Sequence, residues 1–196
     1  RNWLSGRSEN RWISKCGNTW NKFVNMSTEK KVFIGIGLVT ILIMAGGIFL
    51  LSSEDDRLKR PFMGQEVKIE SKNHVPDGTE IQYNSNPPAG GPHYETTAHA
   101  GIYDTPPPDG NLVHSLEHGA VIIWYKSDLP KDQVEKLKSV FKRVSGKKIM
   151  VPRQSLDVPV AVSSWGRVLQ LRTINGEQIK AFFETNYNRG PENAPI

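Results

Sequence analysis

Twenty consecutive uncharged residues, Val32 to Leu51 (VFIGIGLVTILIMAGGIFLL), constrain this chain more than any other stretch. A helix rises about 1.5 Å per residue, so a run of this length crosses a hydrocarbon core of about 30 Å. A secretory signal would have a shorter apolar stretch and a small-residue cleavage site after it. Here Ser52-Ser53-Glu54-Asp55-Asp56 follows instead. The run therefore reads as an uncleaved anchor in a lipid bilayer. Lys22, Lys30 and Lys31 precede it and acids follow it. The positive-inside rule then predicts a single-pass protein of the cell membrane, with a cytoplasmic basic segment at 1–31, a transmembrane helix at 32–51 and an extracytoplasmic remainder. Gly35, Gly37, Gly46 and Gly47 fit ordinary membrane-helix composition. Without a G-x-x-x-G pair they point only faintly to a membrane-protein complex.

The formal net charge of +5 is confined to one end. Residues 1–31 hold seven Lys/Arg and two Glu, and the remaining 18 basic and 18 acidic residues cancel. A high isoelectric point thus carries no argument for nucleic acid, and no basic patch with interleaved aromatics lies beyond the span. Cys16 is the single cysteine, so no intrachain disulfide forms and the outer domain depends on its core, or on its core and a metal. Trp3, Trp12 and Trp20, with Arg7, Arg11 and Lys15 between them, suit an interfacial helix or a loose arm equally. Met26-Ser27-Thr28-Glu29-Lys30-Lys31 resembles an ordinary protein start, which would make the first 25 residues an extension.

Beyond the anchor, 52–65 reads as a polar stalk and 66–196 as one extracytoplasmic α+β domain. Residues 66–70 alternate as a strand would, and a second short strand is expected at 81–83. Between 84 and 110 the chain is dense in Pro and Gly, a loop length that is usually functional or disordered. An apolar strand at 120–126 follows. Asp128 and Pro130 then announce a helix with a Val134, Leu137, Val140, Phe141 and Val144 stripe, ended by Gly146. Strands are expected at 148–151, 158–162 and 167–172. A last helix starts at the Asn175-Gly176-Glu177-Gln178 box, with Ile174 stapled onto Ile179, and stops at Gly190-Pro191. This order predicts a single mixed or antiparallel sheet with helices on one face.

Just before the strand at 120–126 stands Val113-His114-Ser115-Leu116-Glu117-His118-Gly119. Two histidines four apart share one ion only on a helix, where i and i+4 lie on the same face. On a strand they would sit about 13 Å apart. Gly119 suits the left-handed end of such a turn. His114 and His118 are then candidate metal ligands, with His93 from the Gly-Pro loop as a third and His74 as a fourth. Glu117 is a candidate partner to a ligating imidazole, fixing its tautomer. An all-imidazole set without sulfur, outside the membrane, suits a copper or zinc ion, and location favours copper. Three other readings stand beside this one. The histidines could simply hydrogen-bond the loop to the turn. His-Ser-Leu-Glu-His also fits the H-x-x-E-H pattern of zinc hydrolases, although Gly110 and Gly119 deny it the usual long helix. A metal-free interaction module is the last, with Trp165 and Arg167 as surface residues or, more simply for Trp165, core.

Three stretches carry a resemblance: Pro87-Pro88-Ala89-Gly90-Gly91-Pro92-His93-Tyr94, the run from Val113 to Gly119, and Ser164-Trp165-Gly166-Arg167 with Gly190-Pro191-Glu192. Over residues 66–193 the chain resembles domain-of-unknown-function family 3105, membrane-anchored proteins of bacteria and archaea. His74, His93, His114, Glu117 and His118 fall on positions matching that family's pattern, and His99 does not. Some relatives have a cysteine near Gly-x-Tyr, where this chain has Ala100-Gly101-Ile102-Tyr103. The resemblance implies a membrane location and an extracytoplasmic fold. It implies no reaction, and service in metal handling or as an accessory subunit of a membrane complex is the expectation built on the residues.

Overall fold

The structure is a computed structural model that describes residues 26–192 and 194–196. The expectations for Trp3, Trp12, Trp20 and Cys16 lie outside the described residues. The described chain falls into two compact units, divided between Asp55 and Asp56.

The first unit is helical. Helix α1 runs Thr28–Lys59, so the first part of the stretch read as a stalk, 52–59, is helical. Its segment Thr28–Leu50 has a mean hydropathy of 2.5, is unburied throughout, and is long and apolar enough to cross a membrane. Thr40 caps its own polarity by donating to the Ile36 carbonyl at 2.9 Å, one turn back.

The second unit is α+β. Its short strands are β1 (Gln65–Glu66), β2 (His74–Val75), β3 (His93–Tyr94) and β4 (Gly101–Ile102). Longer ones are β5 (Val121–Lys126), β6 (Lys148–Arg153), β7 (Val160–Ser164) and β8 (Arg167–Leu171). Helices α2 (Asp109–Glu117), α3 (Lys131–Arg143) and α4 (Gly176–Asn186) separate them. A six-stranded mixed sheet is ordered β1-β8-β7-β5-β6-β4. β5 sits at its centre, parallel to β6 and antiparallel to β7. β2 and β3 form a separate parallel pair that sets His74 opposite His93.

The central strand β5 is buried on both faces, which explains why 121–125 reads as a continuous apolar run and not as an alternation. Val121, Ile123 and Tyr125 pack with Leu137, Val140 and Phe141 of α3 and Ile179, Phe182 and Phe183 of α4. On the opposite face Ile122 and Trp124 pack with Leu112 and Leu116 of α2, Ala98 and Leu156. The two longer helices thus share one face, and the histidine-bearing α2 covers the other. Trp124 is fully buried and donates its indole N–H to Ser163 Oγ at 2.8 Å, so its one polar atom is paired.

Local sequence signals behave unevenly. Asn175 caps α4, accepting from the Gln178 N–H at 3.0 Å, as the box predicts. At α3 the cap position is Pro130, and no side chain, Asp128 included, caps it. The strand expected at 66–70 pairs only at 65–66, and 81–83 is not a strand. The reason is that this segment packs beside the Gly-Pro loop and does not enter a ladder. Tyr83 Oη donates to the Pro92 carbonyl at 3.0 Å and Asn84 to the Lys68 carbonyl at 2.8 Å.

Candidate metal centre

Helix α2 needs the Pro-rich stretch before it and the glycine after it. Pro108 occupies its N-cap without a side-chain cap. Gly119 follows its end at φ +82°, a conformation that favours glycine, and donates its N–H to the Leu116 carbonyl at 2.9 Å. A side chain at Gly119 would meet Asn188 Cα at 2.7 Å, so glycine serves close approach as well. The helix is also tied to the loop before it. Asp109 receives both oxygens' bonds from Arg153, at 2.8 and 2.9 Å, while Arg153 Nε donates to Asn86 Oδ1 at 2.7 Å. Ser115, fully buried, donates to the Ala98 carbonyl at 2.9 Å and so is spent on structure.

Of the histidines singled out above, His74, His93 and His114 converge. Ring centroids of His74, His93 and His114 lie 4.5, 4.8 and 4.9 Å apart. The ring nitrogens of these three and a Glu117 oxygen lie within 4.8 Å of one another. His74 Nε2 is 3.4 Å from His114 Nε2 and 3.9 Å from Glu117 Oε2, and His93 Nε2 is 2.8 Å from Glu117 Oε2. Donors about 2.0–2.2 Å from a tetrahedral zinc are themselves about 3.4 Å apart, so the spacings bracket what one ion needs. His118 stands to one side. Its Nε2 is 3.1 Å from His114 Nε2, but it is not one of the four donors that share a centre. Glu117, read from sequence as a partner to an imidazole, is itself one of those four. His99 is outside the group: it is exposed, and its carbonyl accepts from Tyr103 Oη at 2.8 Å.

The polarity of the contacts is more telling than their distances. A carbonyl only accepts, so the 2.8 Å contact between His93 Nδ1 and the Gly91 carbonyl places the ring proton on Nδ1. Nε2 is left to face Glu117 Oε2 at 2.8 Å. The two atoms face each other at contact distance without hydrogen-bond alignment, and both lack a hydrogen-bond partner. His93 is fully buried and Glu117 1% exposed, so water does not relieve the opposition. Unpaired buried polar atoms cost about 1–3 kcal/mol each. A cation between them removes that cost.

His114 is 6% exposed. Burial, then the neighbouring His118, His93 and His74, pushes its pKa down to about 4, against a smaller upward pull from the Tyr94 backbone. It is therefore neutral at pH 7, as a metal-ligating imidazole must be. His74 is the wet member, its side chain 42% exposed. Trp165 meets the His93 ring edge-on at 5.9 Å and packs on the α2 face of the sheet, which makes it wall and not free surface. Arg167 pairs with Glu66 at 3.2 Å.

Loop geometry seats His93. At Gly90 a side chain would meet Ile69 Cδ1 at 2.5 Å, so glycine lets the loop close over that residue. Sequence reasoning did not find the tail's part. His118 Nδ1 contacts the Pro195 carbonyl at 2.8 Å, and Lys147 Nζ donates to the carbonyls of His118 and Ala194 at 2.7 and 2.6 Å. Nothing in local periodicity signals a lysine satisfied by carbonyls.

No curated protein and no solved structure matches the chain. One family model does, over residues 74–195, spanning the two-strand pair, α2, the sheet apart from β1, and the tail that meets His118. The family is described as protein of unknown function (DUF3105), and the chain belongs to it.

Proposed function

We propose that the unit 56–196 is a metal-holding domain, anchored by α1 and exposed on the extracytoplasmic side, that binds one copper or zinc ion through His74, His93, His114 and Glu117. The observation that carries this is the convergence of three imidazole nitrogens and a carboxylate oxygen within 4.8 Å of one another, with His93 Nε2 and Glu117 Oε2 buried 2.8 Å apart and without a hydrogen-bond partner. Three imidazoles and one carboxylate form a set that zinc and copper(II) both accept. Sidedness rests on the Lys-rich flank before α1 and the acids after Leu51. In the cell the domain serves metal handling, or stands as the metal-bearing accessory subunit of a membrane complex.

The test is elemental analysis and calorimetric titration of the detergent-solubilised chain with zinc and copper(II). One tight equivalent, lost in His93→Ala and weakened at least about tenfold in Glu117→Gln, is expected. No metal in the natively purified protein and no uptake on addition would refute the proposal.

A further inference from the structure

Four donors share the proposed centre, and they are not equally held. His93, His114 and Glu117 are buried. His114 and Glu117 ride on α2, and the Gly91 carbonyl fastens the His93 ring from behind, 2.8 Å from Nδ1. His74 differs on each count. Its side chain is 42% exposed, and it sits on the two-residue strand β2, in a ribbon where residues 72–74 and 76–80 are all exposed. A ligating imidazole is ordinarily oriented by an outer partner on its second nitrogen. Among the described residues, the hydrogen-bond, ionic and ring contacts of the His74 side chain go only to the group itself. They are His114 Nε2 at 3.4 Å, Glu117 Oε2 at 3.9 Å and the His93 and His114 rings, edge-on. The backbone beneath is tied down, His93 N–H donating to the Asn73 carbonyl at 3.1 Å, so the ring can swing away while the strand stays.

We infer that His74 marks the exchange position of the centre, where the ion enters and leaves by trading His74 for an imidazole carried on an exposed histidine of a partner protein. The inference rests on the proposed centre and says how that centre hands its ion on. The step is a ligand substitution. One metal–nitrogen bond forms as another breaks, and neither the oxidation state of the ion nor the charge of the donor set changes. The three buried donors keep hold of the ion meanwhile, because none of them withdraws without unpacking α2 or the Gly-Pro loop. An imidazole suits the exchange because it repeats the donor it displaces, and zinc and copper(II) both accept it. A half-exposed position on a surface ribbon is open to a side chain presented by another molecule, which a fully buried one is not.

The full chain in detergent is titrated with cobalt(II), a spectroscopic stand-in for zinc, and d–d absorption reads the shell of the ion. The probe is a tripeptide with one central histidine, acetylated and amidated so that only its imidazole ligates. Wild type is expected to take one equivalent. His74→Ala, at a half-exposed side chain, should keep that equivalent with affinity lower by about tenfold or more. Adding the peptide should then return its spectrum to the wild-type form. His93→Ala, whose gap lies in the buried wall, should not recover metal with the peptide. A His74→Ala spectrum indifferent to the peptide, or a peptide that restores His93→Ala equally well, would overturn the exchange position while the centre stands. No cobalt uptake by wild type would instead remove the centre on which this rests.

Discussion

Acid should destabilise the ion-free domain through His114 in a defined window. The folded-state pKa of about 4 lies below the ordinary His value of about 6.5. Between these two values the unfolded chain binds a proton that the folded chain does not, so stability rises with pH across the window and is lost on acidification. At pH 4.5 about three quarters of the shift is expressed, on the order of 2.5 kcal/mol relative to pH 7.5. The assay is urea unfolding of the compact unit 56–196, stripped with a chelator, at pH 7.5 and pH 4.5, in wild type and His114→Gln. With a denaturant slope of about 2 kcal/mol/M, the wild-type midpoint should fall by about 1 M more than the variant's. Carboxylates protonate in both proteins, so the difference between them isolates the imidazole. Wild-type and variant midpoints that fall in parallel would refute the reasoning.

The tail clamp is tested by Gly190→Ala, whose new methyl would stand 2.1 Å from the Glu117 carbonyl oxygen and 2.6 Å from the Gly119 nitrogen. A loss of about 1–3 kcal/mol or more is expected in urea unfolding. Leu116→Ala, at a fully buried position on the α2 face of the sheet, should cost about 2–5 kcal/mol by the same measurement. The anchor reading predicts that protease added outside intact cells or spheroplasts digests the domain after α1, and full protection would reverse the sidedness.

How much of this was legible in the sequence depends on how local each determinant is. The long apolar helix, the Asn175 cap, the α3 stripe and the left-handed Gly119 are local patterns, and the structure has each where the pattern puts it. Weak two-residue strands are different. Gln65–Glu66 forms only because β8 supplies a partner edge, and 81–83 is drawn to the Gly-Pro loop by Tyr83 and Asn84. The histidines were legible as chemistry because two share a helix face, yet their grouping was not. Which four of the five charged or basic residues share a centre depends on the His74–His93 register, a contact between strands nineteen residues apart. The roles of Lys147 and Pro195 depend on the tail folding back onto α2, which no periodicity encodes.

X-ray absorption spectroscopy at the metal edge of the zinc- or copper-loaded protein, at one equivalent, tests the central reading most directly. Three imidazole scatterers and one oxygen at about 2.0–2.1 Å, with the multiple-scattering pattern reduced by one imidazole in His93→Ala, is the predicted result. A shell of oxygens alone, unchanged in His93→Ala, would mean that the ion sits elsewhere and that these rings hold none.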